Sequence, residues 1–167
     1  MTILSDKEIL ELLRGKERMI TDFIDLEEQI QPSGFDLTLM SAATICAPGT
    51  LGKSGKRTLP TLREVKRVGS HLKLGEGSYI VRYNEYVSLP PDVAALVLPR
   101  SSLMRMGVTL HTAVWDPGYR GRGVGLLVVH NAQGVRIEIG SRIAQMIFVK
   151  TSKKPARRYE GAYQNEG

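Results

Sequence analysis

Three stretches of the chain carry side chains whose types and spacing suit work on a phosphate chain. Pro99-Arg100-Ser101-Ser102-Leu103-Met104-Arg105 offers two guanidinium groups, two hydroxyls and the backbone N–H groups of a short predicted helical turn. Helix starts and arginine forks both favour oxyanions, and each charge-assisted contact contributes about 1.5–3 kcal/mol net. Taken alone, the same residues read equally as Ser101 and Ser102 capping a turn while the arginines face water. Val114-Trp115-Asp116-Pro117-Gly118-Tyr119-Arg120-Gly121 sets a carboxylate ahead of a Pro-Gly turn between two aromatic side chains. Asp before Pro-Gly is ordinary turn chemistry. A carboxylate held rigidly there could also orient and deprotonate a water, with Tyr119 packing on a flat ring or a sugar. In Gly140-Ser141-Arg142-Ile143-Ala144-Gln145-Met146-Ile147-Phe148, strand periodicity places Ile143, Gln145 and Ile147 on one face. Gln145 is then a polar group on an apolar face, and it needs a partner, internal or ligand.

Two weaker stretches are Ser33-Gly34-Phe35-Asp36-Leu37 and Tyr159-Glu160-Gly161-Ala162-Tyr163-Gln164. By themselves Asp36 reads as a turn or ion-pair residue and the terminal stretch as a frayed tail.

The elements that must position these groups are mostly strands. Residues 5–14 predict a short amphipathic helix, with Ser5 as N-cap, Glu8 at capping-box spacing, an apolar face of Ile9, Leu10, Leu12 and Leu13, and Gly15 as the stop. A second short segment runs to about Gln29. From Ile30 the helical period disappears, and strands are expected at 35–40, 44–47, 71–74, 78–82, 86–89, 93–98, 107–111, 124–130, 135–139 and 142–149. Val135 to Ile139 alternates as a half-buried strand does, whereas Val124 to Val129 reads as a strand buried on both faces. Many short strands with turn residues between them predict a mainly β, jelly-roll-type domain with a short N-terminal helix. No linker or repeat divides residues 1–167, so one domain is expected, with a helical segment at about 1–29 and a basic tail at about 150–167.

Composition narrows the function class. The chain has 167 residues, 42% of them hydrophobic, which argues against global disorder. No run of 18 apolar residues is present, so no membrane association is expected. The N-terminus lacks the basic-then-apolar form of a secretory signal, so a cytoplasmic protein is expected. The one cysteine, Cys46, excludes a disulfide framework, and with three histidines no histidine-based metal site is expected. Lys plus Arg number 23 against 17 Asp plus Glu, a net charge of +6 that points to anionic partners. Lys53, Lys56, Arg57, Arg63, Lys66 and Arg67 cluster in one stretch, and Lys150, Lys153, Lys154, Arg157 and Arg158 in another. Each reads as a solvated segment or as an attractor of polyanions. With three Phe, six Tyr and one Trp, no aromatic–basic stacking platform is apparent, and stable nucleic-acid binding is not expected.

In order and spacing these stretches resemble the motifs of the trimeric deoxyuridine triphosphatase (dUTPase) and dCTP deaminase superfamily, most of all the archaeal type of dUTPase. The likeness covers most of the chain outside about 48–70. Ile3-Leu4-Ser5-Asp6 looks like a deaminase-type N-terminus. Ser33 to Leu37 resembles the first motif, Arg100-Ser101-Ser102 the second, Trp115 to Gly121 the third and Gly140 to Gln145 the fourth. The fifth is represented in part, by Tyr163-Gln164. The resemblance implies a distorted jelly roll (a β-clip), a homotrimer with active sites between subunits, and Mg²⁺ carried by the triphosphate. It implies Asp116 as the base that activates water and Asp36 as its support, pairing Arg100 or ordering a metal-bound water. It assigns the triphosphate to Arg100, Ser101, Ser102 and Arg105, with Gln145 on phosphate or on the second-motif turn. It sets Tyr119 against the deoxyribose, backbone near Leu126 against the uracil edge, and Tyr163 and Gln164 as a closing arm.

The resemblance also separates two chemistries. Deaminases of this superfamily use a Glu about ten residues past the third-motif Asp. Here that position is Leu126, or Val128 if Arg122-Gly123 is an insertion, and no Asp or Glu occurs from Pro117 to Ile137. An acid/base group contributes about 10²–10⁴-fold in rate. The expectation is therefore dUTP hydrolysis to dUMP and pyrophosphate, with dCTP deamination, alone or alongside it, as the alternative.

Overall fold

A computed structural model describes residues 2–15 and 17–167. Met1 and Lys16, both within the expected N-terminal segment, lie outside the described residues. The N-terminal part holds β1 (Thr2–Ile3), α1 (Asp6–Arg14), β2 (Ile20–Thr21), α2 (Leu26–Gln29) and β3 (Ile30–Gln31). Helix α1 forms as its pattern predicts. Glu8 accepts from Ser5 N at 2.9 Å and from Ser5 Oγ at 2.8 Å, Ile9 and Leu13 are buried, and Gly15 closes the last turn onto Glu11 O.

The long strand β4 (Gly34–Ile45) follows, then four short strands: β5 (Thr50–Leu51), β6 (Arg57–Thr58), β7 (Leu62–Glu64) and β8 (Arg67–Val68). Next come β9 (His71–Leu74), β10 (Gly77–Tyr83), β11 (Tyr86–Ser88), β12 (Val93–Pro99) and α3 (Ser101–Arg105). The C-terminal part is β13 (Val108–His111), β14 (Arg120–Gly121), β15 (Val124–Val129), β16 (Val135–Glu138) and β17 (Arg142–Lys150). The chain is thus mainly β. None of the described helices is long and apolar enough to cross a membrane.

The main sheet runs β1-β17-β4-β10-β15-β13, with β12 added on β17 and β3 and β7 on β4. Strand β4 serves two ladders. Phe35 to Thr38 pair with β17, and Leu39 to Thr44 pair with β10. Register shifts fall beside this change of partner, at Arg142/Ala144 and at Arg82/Tyr83, as they do where one strand turns a corner between two sheets. Phe35, Leu37, Leu39, Val81, Leu127, Met146 and Phe148 fill the space enclosed.

Four expectations are corrected. The predicted strands 35–40 and 44–47 are one strand, because Ser41 to Ala43 pair with β10 and the end of β4 also pairs with β7, so the ladder continues through small residues. Residues 48–70 are not merely a loop; β7 joins β4 and β8 joins β9. Strand β15 is buried on one face only: Gly125, Leu127 and Val129 are buried, while Val124, Leu126 and Val128 are half-buried. Its apolar run marks a second face that meets a cavity rather than core. Lastly, Gln145 does not share a face with Ile143. The bulge at Arg142/Ala144 turns both Ile143 and Ala144 inward and leaves Gln145 with Ile147 on the other side.

Candidate active site

The first cavity, of about 320 Å³, lies where β4, β17 and β12 run side by side. Gln145 is the direct partner of Asp36 on one side and of Leu98 on the other, so the three form a row across the sheet. Gln31, Pro99, Arg100, Ser101 and Ile147 complete the wall. Gly34 begins β4 because a Cβ there would run into Met146 O and the Gln145 side chain. Asp36 is 1% exposed, and its Oδ2 lies 2.5 Å from Arg100 Nη1 and 3.7 Å from Arg142 Nη1. Burial pushes the Asp36 carboxyl above its ordinary value, while the two guanidinium groups pull it back. Arg142 also pairs with Glu28 at 3.0 Å and donates to its carbonyl, which ties α2 to the rim.

A buried polar cluster backs this cavity. Glu85 Oε2 accepts from Thr38 N at 2.9 Å, and Oε1 accepts from Thr38 Oγ1 at 2.6 Å and Gln29 Nε2 at 2.7 Å. Gln29 Nε2 also donates to Asp36 O at 2.8 Å. Burial raises the Glu85 carboxyl above its ordinary value, against the lowering by these hydrogen bonds.

The second cavity, of about 440 Å³, is apolar and stands over the outer face of β15. Ile80, Val124, Leu126, His111, Trp115 and Tyr119 are in its wall, and Tyr159, Tyr163 and Glu166 reach it from the C-terminal tail. Trp115 and Tyr119 meet edge-on at 5.0 Å, as do Tyr119 and Tyr159 at 5.5 Å. Gly123 is required beneath the indole, since a Cβ there would lie inside the ring. Tyr119 is 7% exposed, and burial pushes its phenol well above the usual range. The tail is not frayed. Gln164 accepts from Arg120 N and donates to Gly118 O, both at 3.0 Å, and Arg122 N donates to Glu166 O.

The first cavity is lined by the end of β12, and the second is joined to β12 through Trp115 at a different height. Trp115 bridges Ala95 in antiparallel fashion, while Arg100 follows the far end of β12. Five strand residues separate the two levels, about 16 Å at about 3.3 Å per residue. Asp116 continues away from Arg100, because the bridge is antiparallel. The two cavities share no lining residue.

The sequence-predicted residues therefore divide. Asp36, Arg100, Ser101 and Gln145 line the first cavity; Tyr119, Leu126 and Tyr163 line the second; Gln164 fastens the tail beside it. Asp116 is exposed on its turn and lines neither, and Ser102 and Arg105 stand exposed on α3 outside both. Within the single chain the strand geometry keeps Asp116 and Arg100 apart. Sequence reasoning missed Gln31 and the second role of Arg142, although Arg142 lies inside a stretch it singled out. Glu166 was missed because it is far in sequence from the pocket it joins.

The mainly β fold is what this chain shares with known proteins. The chain belongs to the dCTP deaminase-like family, which it matches over residues 3–151. It is 39% identical over 168 residues to a Methanosarcina acetivorans protein named "Probable deoxyuridine 5'-triphosphate nucleotidohydrolase", covering 99% of this chain and 98% of that one. An Archaeoglobus fulgidus protein of the same name is 42% identical over 167 residues, again covering 99% and 98%. The crystal structure of 2'-deoxycytidine 5'-triphosphate deaminase from Agrobacterium tumefaciens superposes with a TM-score of 0.66 at 26% identity. That match covers 87% of this chain, which spans about half, 47%, of the deaminase chain.

Proposed function

We propose that this chain hydrolyses dUTP to dUMP and pyrophosphate. The observation that carries the reading is the strand in the wall of the apolar cavity: β15 offers Val124 and Leu126 there, no carboxylate occurs between Pro117 and Ile137 to move a proton on a pyrimidine ring, and the one acid in the wall, Glu166, comes from the C-terminal tail. The names of relatives about 40% identical over nearly the whole chain support it.

In this reading the apolar cavity holds the nucleoside and the first cavity the phosphates. Arg100, Ser101 and Gln145 bind phosphate oxygens, and Asp36 fixes the Arg100 guanidinium in its fork-forward position. Asp116 takes a proton from water, the water oxygen bonds to the α-phosphorus, and the bond to the bridging oxygen breaks to release pyrophosphate. The described residues hold no group of three His, Cys, Asp or Glu placed for a metal ion. In this reading Mg²⁺ would arrive on the triphosphate, where it would offset phosphate charge.

The active unit in this reading is a homotrimer that joins the first cavity of one copy to the Asp116 turn of another. The separation of Asp116 from Arg100 supports this, and so does an apolar outer face. Leu96 is 46% exposed and Leu98 54%, and each sits beside β17, opposite Ile147 and Gln145 respectively. A second copy of this chain covers that face.

The test offers dUTP and dCTP separately with Mg²⁺. Pyrophosphate from dUTP supports the proposal, whereas ammonia from dCTP at a comparable rate overturns it in favour of deamination. The shared site has its own test. At dUTP below KM, Arg100→Ala and Asp116→Asn are each slowed, and subunits mixed in equal amounts and reassembled rise above either variant to about a quarter of the wild-type rate, because each intact half comes from a different copy. No recovery on mixing would place both halves in one chain.

A further inference from the structure

The first part of the basic stretch, Lys53 to Arg57, is absorbed neither by the core nor by either cavity. Its hairpin, β5 with β6, pairs only within itself, Thr50 with Thr58 and Leu51 with Arg57, and all four residues are exposed. The β4–β7 ladder holds the base of the hairpin, where Cys46 N donates to Thr61 O at 2.8 Å, but burial does not hold its strands. A side-chain contact ties those strands to the tail: the Arg57 guanidinium carbon sits 5.2 Å from the centroid of the Tyr163 ring, within the range of a cation–π attraction.

Tyr163 is the tail residue that most needs such a hold. Beyond it, Gln164 is fastened to Gly118 and Arg120, Asn165 N donates to Arg120 O at 2.7 Å, and Glu166 O accepts from Arg122 N. Before it, Tyr159 N donates to Pro117 O at 3.0 Å and the Tyr159 ring packs on Tyr119. The Tyr163 ring lies between these anchors, exposed on one side and facing the apolar cavity on the other.

We propose that the β5–β6 hairpin is a strap for the C-terminal tail, and that Arg57 is a positioning residue that holds the Tyr163 ring over the mouth of the apolar cavity. The identity of the ligand in that cavity rests on the dUTPase reading above; the strap itself does not. Arg57 touches neither cavity, so it acts through Tyr163 by restricting where the ring can go before a ligand arrives.

The experiment has two readouts on full-length protein. Trypsin is added without nucleotide, and release of the tail by cleavage at Arg157 or Arg158 is followed by mass. Arg57→Ala speeds that release, Arg57→Lys speeds it less, and Lys53→Ala, which leaves the cation–π pair intact, does not change it. In steady-state assays with dUTP, Arg57→Ala raises KM roughly two- to fivefold, the scale of one exposed cation–π contact, more than it lowers kcat. Combined with Tyr163→Ala, it adds little further, because the second change removes the ring that Arg57 holds. Unchanged tail release in Arg57→Ala, or full additivity of Arg57→Ala and Tyr163→Ala, overturns the strap. Faster tail release in a protein that does not turn over dUTP supports the strap and overturns only the dUTPase reading.

Discussion

Ala95 and Trp115 exchange both backbone hydrogen bonds, Ala95 N to Trp115 O at 2.9 Å and Trp115 N to Ala95 O at 3.0 Å. This bridge fixes the aromatic wall of the apolar cavity to the strand that ends at Arg100. It therefore sets how far the two cavities of one chain stand apart. The indole it places leaves no room for a side chain at residue 123. Gly123→Ala is expected to cost about 1–3 kcal/mol in urea unfolding, in the range of an overpacked core, and to weaken nucleoside binding. Because Trp115 is the chain's one tryptophan and lines the cavity, its fluorescence reports that binding directly.

Arg100→Ala is expected to weaken the hold on a non-hydrolysable dUTP analogue by about 1.5–3 kcal/mol, the size of a lost charge-assisted hydrogen bond. Deoxyuridine, which has no phosphate, should bind as to wild type. An equal loss for both ligands, measured by calorimetry, would remove Arg100 from phosphate binding.

Asp116→Asn keeps the shape of the turn and removes the base. Turnover should fall by about 10²–10⁴ while analogue affinity persists. Wild-type turnover in that variant would assign the water-activating step elsewhere.

The Glu85 cluster and Tyr83 make opposite predictions. Every neighbour that bonds Glu85 does so as a donor, so an ionised carboxylate fits and an amide of the same shape does not. Glu85→Gln should cost about 1–3 kcal/mol by leaving a buried donor facing a donor. The Tyr83 hydroxyl is buried without a partner among the described residues. Tyr83→Phe should leave stability unchanged or raise it by up to about 1 kcal/mol.

The raised carboxyl of Asp36 predicts a pH dependence whose sign is unusual for an acid. Folded Asp36 keeps a proton that the unfolded chain has already released, so its contribution to stability is present in acid and is lost as pH rises from its ordinary value through its raised folded value. Above that window the contribution is flat. The stability of wild type relative to Asp36→Asn, taken from urea unfolding between about pH 4 and about pH 8, should fall across the acidic part of that range. Phosphate binding runs the other way, because only ionised Asp36 holds Arg100. A stability difference that grows with pH would contradict the direction given for Asp36.

Much of this was legible along the chain. Ser5, Glu8 and Gly15 specify α1 locally, because capping and termination depend on residues within one turn. Arg100, Ser101 and Gln145, which line the first cavity, were legible only through the order and spacing of their motifs, because each stretch alone reads equally as a capped turn or a core strand. Less legible were features decided by pairing. Nothing in Met40-Ser41-Ala42 says that β4 continues, since a ladder is made by the neighbouring backbone. The bulge that turns Gln145 away from Ile143 is likewise a property of β17 against β4.

The sequence by itself determined which side chains are available for phosphate chemistry, that no acid follows Asp116 before Ile137, and that short strands dominate; residue type and local spacing carry that information. Only the tertiary structure decided that Asp36 lies under Arg100, that Glu166 and Tyr163 come to the wall of the apolar cavity, and that Asp116 and Arg100 of one chain stand apart. Those relations depend on strand register, in which a shift of one residue turns every side chain to the opposite face, and register is fixed by the whole sheet at once.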